Sequence, residues 1–66
     1  MFSSIESIMT MLERGNYTRS DINQALSDLE TMYRAGSISD YQYKNVKALL
    51  EAVKLLIPAL SLQEIP

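Results

Sequence analysis

The groups able to do chemistry in this chain are hydroxyls and carboxylates. It has no His and no Cys, so nucleophilic catalysis would need a Ser or Thr activated by a carboxylate. The closest approach is Thr18, Ser20 and Asp21 in "YTRSDI". Their spacing matches a helix start instead: a hydroxyl accepts a free N–H and the residue three further on reaches back. Asp28 and Glu30 form the other acidic pair, but residues two apart on a helix point to different faces. "DLETMYRAGSISD" places acids around a glycine turn without the dense alternating ligands of a calcium loop. Zinc would have to be held by carboxylates alone. No enzyme, metal site or cofactor is expected.

The elements that must carry these residues are helices. Phe2, Ile5, Ile8, Met9 and Leu12 recur at spacings of three and four. So do Ile22, Ala25, Leu26, Leu29, Met32 and Tyr33, and then Tyr43, Val46, Leu49, Leu50, Val53, Leu56 and Ile57. No stretch alternates as a half-buried strand does. Ser3 with Glu6, Thr18 with Asp21 and Ser39 with Gln42 have capping-box spacing. Tyr17 and Ile38 precede the second and third caps as hydrophobic staples onto Ile22 and Tyr43. Gly15 and Gly36 stand where the first two helices must stop. The pattern predicts helices over about 3–14, 18–35 and 39–57. The fold class is all-α: a three-helix bundle, or a helical hairpin with an extended apolar third helix. Residues 1–57 form one domain, followed by an apolar tail over 58–66. The two junctions repeat one design, with "MLERGNYTRSDI" aligning on "MYRAGSISDYQY".

Size and charge narrow the function further. Sixty-six residues make one small domain, and a chain of that size buries only about 60% of its unfolded surface. Such domains lean on disulfides, a metal or a partner, and with the first two disfavoured the expected partner is another copy of the chain or another, larger protein. Six bases against eight acids give a net charge of −2. Arg14, Arg19, Arg34, Lys44, Lys47 and Lys54 are spread along the chain, unlike the clustered positive face that phosphate neutralisation requires. Tyr41, Gln42, Lys44, Asn45 and Lys47 could sit at the start of a recognition helix. A dimeric DNA-binding helix–turn–helix is therefore a third reading, and nucleic acid is not an expected partner. The longest apolar run, "LLIPALSL", is far short of the ~20 residues that span a bilayer. No basic-then-apolar secretory signal opens the sequence, so a soluble, intracellular protein is expected.

The C-terminal third carries the functional hint. Between Ala48 and Leu62 only Glu51, Lys54 and Ser61 are polar, whereas a helix flanking two others needs an apolar stripe on one side. Ala52 and Leu55 lie off the Tyr43–Val46–Leu50–Val53–Ile57 stripe. Pro58 should kink or stop the helix, leaving Leu60, Leu62 and Ile65 beyond it. The residues expected to contact a protein partner are Leu49, Ala52, Val53, Leu55, Leu56, Ile57, Leu60 and Leu62. Tyr41, an aromatic beside the second turn and off the stripe, joins them.

At its two turns the sequence resembles the XkdX-like family of small proteins from phage tail modules. The first turn carries Gly15, Tyr17, Thr18, Asp21 and Ile22, and the second Gly36, Ile38, Ser39, Gln42, Tyr43 and Lys44. The second turn is similar as well to the short C-terminal helical hairpin called SHOCT. The segment between the turns is longer here than in the XkdX-like pattern, and the third helix is additional. The resemblance implies a small virion or tail-associated protein located in the virion or host cytoplasm, and it brings no catalytic residue. A phage regulator that binds and inhibits a host protein is the alternative, using the same apolar surface.

Overall fold

The computed structural model describes residues 2–57, so the whole apolar tail over 58–66, with Leu60 and Leu62, lies outside the described residues. Three helices follow one another: α1 over Ile5–Arg14, α2 over Arg19–Arg34 and α3 over Asp40–Leu55. Each starts where a side chain takes over the N–H groups that the first turn leaves free. At α2, Asp21 N–H donates to Thr18 Oγ1 (3.2 Å) and Thr18 N–H to Asp21 Oδ2 (2.9 Å). At α3, Gln42 N–H donates to Ser39 Oγ (3.1 Å) and Ser39 N–H to Gln42 Oε1 (2.9 Å). Both capping boxes therefore form as the spacing predicts.

The first helix differs. Its cap is Ser4, which accepts from Ser7 N–H at 3.2 Å, and the Ser3–Glu6 pair plays no capping part. Phe2 explains the shift. Its N–H donates to Asp28 Oδ2 at 2.8 Å and its ring packs on the core. This anchors the chain ahead of Ser4, which is itself extended at φ −153°. We expect Ser4→Ala to lower stability by about 0.5–2 kcal/mol in a urea melt and Ser3→Ala to leave it unchanged.

The helix ends follow glycine and proline chemistry. Gly15 and Gly36 both adopt the left-handed conformation, at φ 70° and 76°. At Gly36 the turn is a Schellman motif: Ser37 N–H donates to Met32 O (2.9 Å) and Gly36 N–H to Tyr33 O (3.1 Å). α3 stops at Leu55 rather than running to residue 57. Leu56 and Ile57 close the turn with N–H bonds to Val53 O and Lys54 O, a tighter three-residue spacing. The physical reason is Pro58, which disfavours helical geometry at the residue before it.

All three helices feed one core. Ile8 comes from α1, Ile22, Ala25, Leu29 and Met32 from α2, and Val46 and Leu50 from α3. Tyr17, Ile38 and Tyr43 are half-buried and pack against this cluster. α2 and α3 form an antiparallel hairpin whose open end is tied by Arg19, one Nη of which reaches Ile57 O at 3.4 Å. A guanidinium beside the last carbonyls of α3 also suits the negative end of that helix. The fold is all-α, with three helices on one core: a three-helix bundle in which α2 and α3 form the main hairpin and α1 adds Ile8 to it.

Candidate protein-binding surface

α3 is apolar on two sides, and only one of them faces the core. Val46 and Leu50 are buried, and Val53 and Ile57 are half-buried and packed on the same cluster. On the opposite side Tyr41, Leu55 and Leu56 stand 77%, 77% and 80% exposed, with Leu49 39% exposed at the edge. Ala48 and Ala52 are exposed between them. Positions 41, 45, 48, 52 and 55 are separated by four, three, four and three residues, so they line one side of the helix, apolar except for Asn45, whose Nδ2 donates to Tyr41 O. Burying a leucine that stands free gains about 1.5–3 kcal/mol. A chain with so small a core has left that stabilisation unused on its own.

The expected contact residues are thus divided by the fold. Tyr41, Leu49, Ala52, Leu55 and Leu56 share the outer side of α3. Val53 and Ile57 belong mainly to the interior. Ala48 is the residue that sequence patterning missed; it completes the outer row at seven residues from both Tyr41 and Leu55. Its small side chain gave no signal in a count of large apolar residues.

A second group gathers at the α2–α3 turn. Tyr33 and Tyr43 stack with centroids 4.3 Å apart and planes 9° from parallel. The Tyr33 hydroxyl donates to Asp40 Oδ1, and Lys44 Nζ lies 3.5 Å from Asp40 Oδ2. Periodicity places Tyr33 on the helical core stripe, yet it sits at the surface, its ring stacked on Tyr43. The Tyr33 hydrogen bond, helped by the Lys44 charge, holds the Asp40 carboxyl below its ordinary value. The same hydrogen bond and the Asp40 charge raise the Tyr33 phenol.

The signs follow directly. The lowered Asp40 contributes stability at neutral pH that is lost as pH falls through its folded pKa. The raised Tyr33 contributes stability that is lost as pH climbs through its own folded pKa. In a carbon-detected NMR titration, Tyr33→Phe should move the Asp40 midpoint upward toward the ordinary range. An unmoved midpoint would mean that the contact does not persist in solution.

Below this stack, Leu26, Ser27, Glu30, Tyr43, Lys47 and Glu51 line an open cleft of about 350 Å³ between α2 and α3. Its rim mixes acids with one base, and Lys47 Nζ rests 5.7 Å from the Tyr43 ring centre. The polar residues at the start of α3 are likewise engaged within the chain. Gln42 is in the capping box, Asn45 Nδ2 donates to Tyr41 O at 2.9 Å, and Lys44 pairs with Asp40.

Among the described residues, no group of three or more His, Cys, Asp or Glu could hold a metal ion. In the same range no helix is long and apolar enough to cross a membrane. No protein-family model, curated protein or solved structure matches this chain.

Proposed function

We propose that this chain is a small non-enzymatic interaction protein whose working surface is the outer side of α3. The observation that carries this is the exposure of Tyr41, Leu55 and Leu56 along a helix whose other side already completes the core. Apolar rows of this kind, on a short helix that is otherwise satisfied, suit association with another protein. The three capped helix starts and the glycine turns hold the row in place. Thr18 and Asp21 close a capping box, Asp28 holds Phe2 and Gln24, and Glu30 pairs with Arg34.

The setting we propose is a phage particle, with this chain as a structural or assembly component of the virion or tail. The resemblance of the two turns to XkdX-like proteins supports that setting. Thr18, Asp21, Ser39 and Gln42 are also the residues that cap helices here, and Tyr17, Ile22, Ile38 and Tyr43 lie in or against the core. The resemblance therefore draws on the same chemistry that shapes the turns.

Quantitative mass spectrometry of purified particles tests the proposal. The protein should be recovered at fixed stoichiometry, and Leu55→Glu with Leu56→Glu should remove it while helix content is retained. Recovery only from infected-cell lysate, bound to a host protein, would favour an inhibitor of host function instead.

A further inference from the structure

We propose that the outer side of α3 pairs with the same surface of a second copy, antiparallel about a two-fold axis beside Ala48. The inference rests on the reading of this surface as a protein-binding one, and it names the partner. Its basis is the order of residues along the row. In an antiparallel pair, a residue a given number of positions before the centre meets the residue equally far after it. Tyr41 lies seven before Ala48 and Leu55 seven after. The exposed tyrosine of each copy therefore meets the exposed Leu55 and Leu56 of the other. Ala48 and Ala52, near the centre, let the two backbones approach closely.

The charges select the same arrangement. Lys44 and Glu51 are seven residues apart and border the same edge of the row. A two-fold antiparallel pairing is isologous, and it sets that edge against itself. Lys44, four before the centre, then stands level with Glu51 of the other copy, three after it, to within one helical rise of about 1.5 Å. Two Lys44–Glu51 pairs form, one at each end of the contact. On the opposite edge Leu49 meets Leu49 of the second copy. A parallel pairing would set Tyr41 on Tyr41 and lay the charged edge along the Leu49 edge, where Lys44 and Glu51 gain no opposite charge. The antiparallel contact is closed by its own symmetry and makes a dimer rather than a filament.

The test is sedimentation equilibrium of the full chain over a concentration series. The wild type should fit a monomer–dimer equilibrium. Lys44→Glu should weaken association by roughly tenfold or more, since like charges then face each other, and adding Glu51→Lys should restore it. Circular dichroism on each variant separates this from loss of helix, because Lys44 also pairs with Asp40 within α3. The natural chain has no cysteine, so crosslinking reads out orientation without interference. Tyr41→Cys mixed with Leu55→Cys should give a mixed disulfide dimer on oxidation, in excess of either variant alone. A Tyr41→Cys homodimer forming as readily would overturn the antiparallel register. A wild type that stays monomeric at every concentration overturns the pairing, including the case in which only a chain cut after Ile57 dimerises. Such a monomer leaves the particle-recovery experiment to decide whether this surface serves another protein.

Discussion

Leu50→Ala is expected to destabilise the fold by about 2–5 kcal/mol, the cost of removing a buried leucine and leaving a cavity. Leu50 is 0% exposed and joins α3 to a core drawn from all three helices. A domain of this size has a total stability on the order of 3–10 kcal/mol. A loss of that magnitude takes much of it, and a substantial unfolded population at physiological temperature follows. The contrast lies five residues along the same helix. Leu55 is 77% exposed, so Leu55→Ala should change the stability of the dilute chain by no more than about 0.5 kcal/mol. Urea melts followed by circular dichroism give both numbers. Comparable losses at the two positions would mean that α3 does not divide its sides between folding and association.

The second large effect is at the α2–α3 turn. Gly36→Ala should cost about 1–2 kcal/mol, because an L-residue in the left-handed region crowds its Cβ against the following carbonyl. Apart from its chain neighbours, a Cβ built at Gly36 meets no atom within 4 Å, so the penalty is one of backbone conformation and not of packing. Gly36→Asn should be milder, since asparagine visits this region more readily. An equal loss for both substitutions would point instead to a steric cause that the open surroundings do not contain. The turn matters beyond its own energy. Met32 O and Tyr33 O are satisfied there, and the direction in which α3 leaves the turn decides where its outer side points.

Much of this architecture is legible in the residues because local chemistry and global fold agree. Thr18–Asp21 and Ser39–Gln42 cap helices wherever they occur, and the two glycines have few other uses beside them. Core membership followed from spacing for Ile8, Ile22, Leu29, Val46 and Leu50. Spacing alone failed where a choice depended on tertiary contact. Ser3 has the capping-box partner in the sequence, Glu6, yet Ser4 caps the helix, with Phe2 N–H bound to Asp28 just ahead of it. Tyr33 has core periodicity, but its hydroxyl finds Asp40 seven residues away, across a turn.

The site divides in the same way. Ala52 and Leu55 were identified as surplus to the core stripe, and both are exposed. Val53 and Ile57 were grouped with them because an apolar helix offers no sequence label for which side meets the core. Tertiary contact supplies that label: Val53 and Ile57 pack against the buried cluster, and Arg19 of α2 reaches Ile57 O. Ala48 went unnoticed because its contribution is the space it leaves free, which is visible only once Tyr41 and Leu55 are placed on either side of it.

The most direct test of the account is the melting temperature of the intact chain as a function of its concentration. If the outer side of α3 binds a second copy, association stabilises the folded state by mass action. The melting temperature should then rise steadily with concentration for the wild type and stay constant for Leu55→Glu, with both chains equally helical when dilute. A wild-type melting temperature independent of concentration would contradict the claim that α3 is held on one side by its own fold and on the other by its twin.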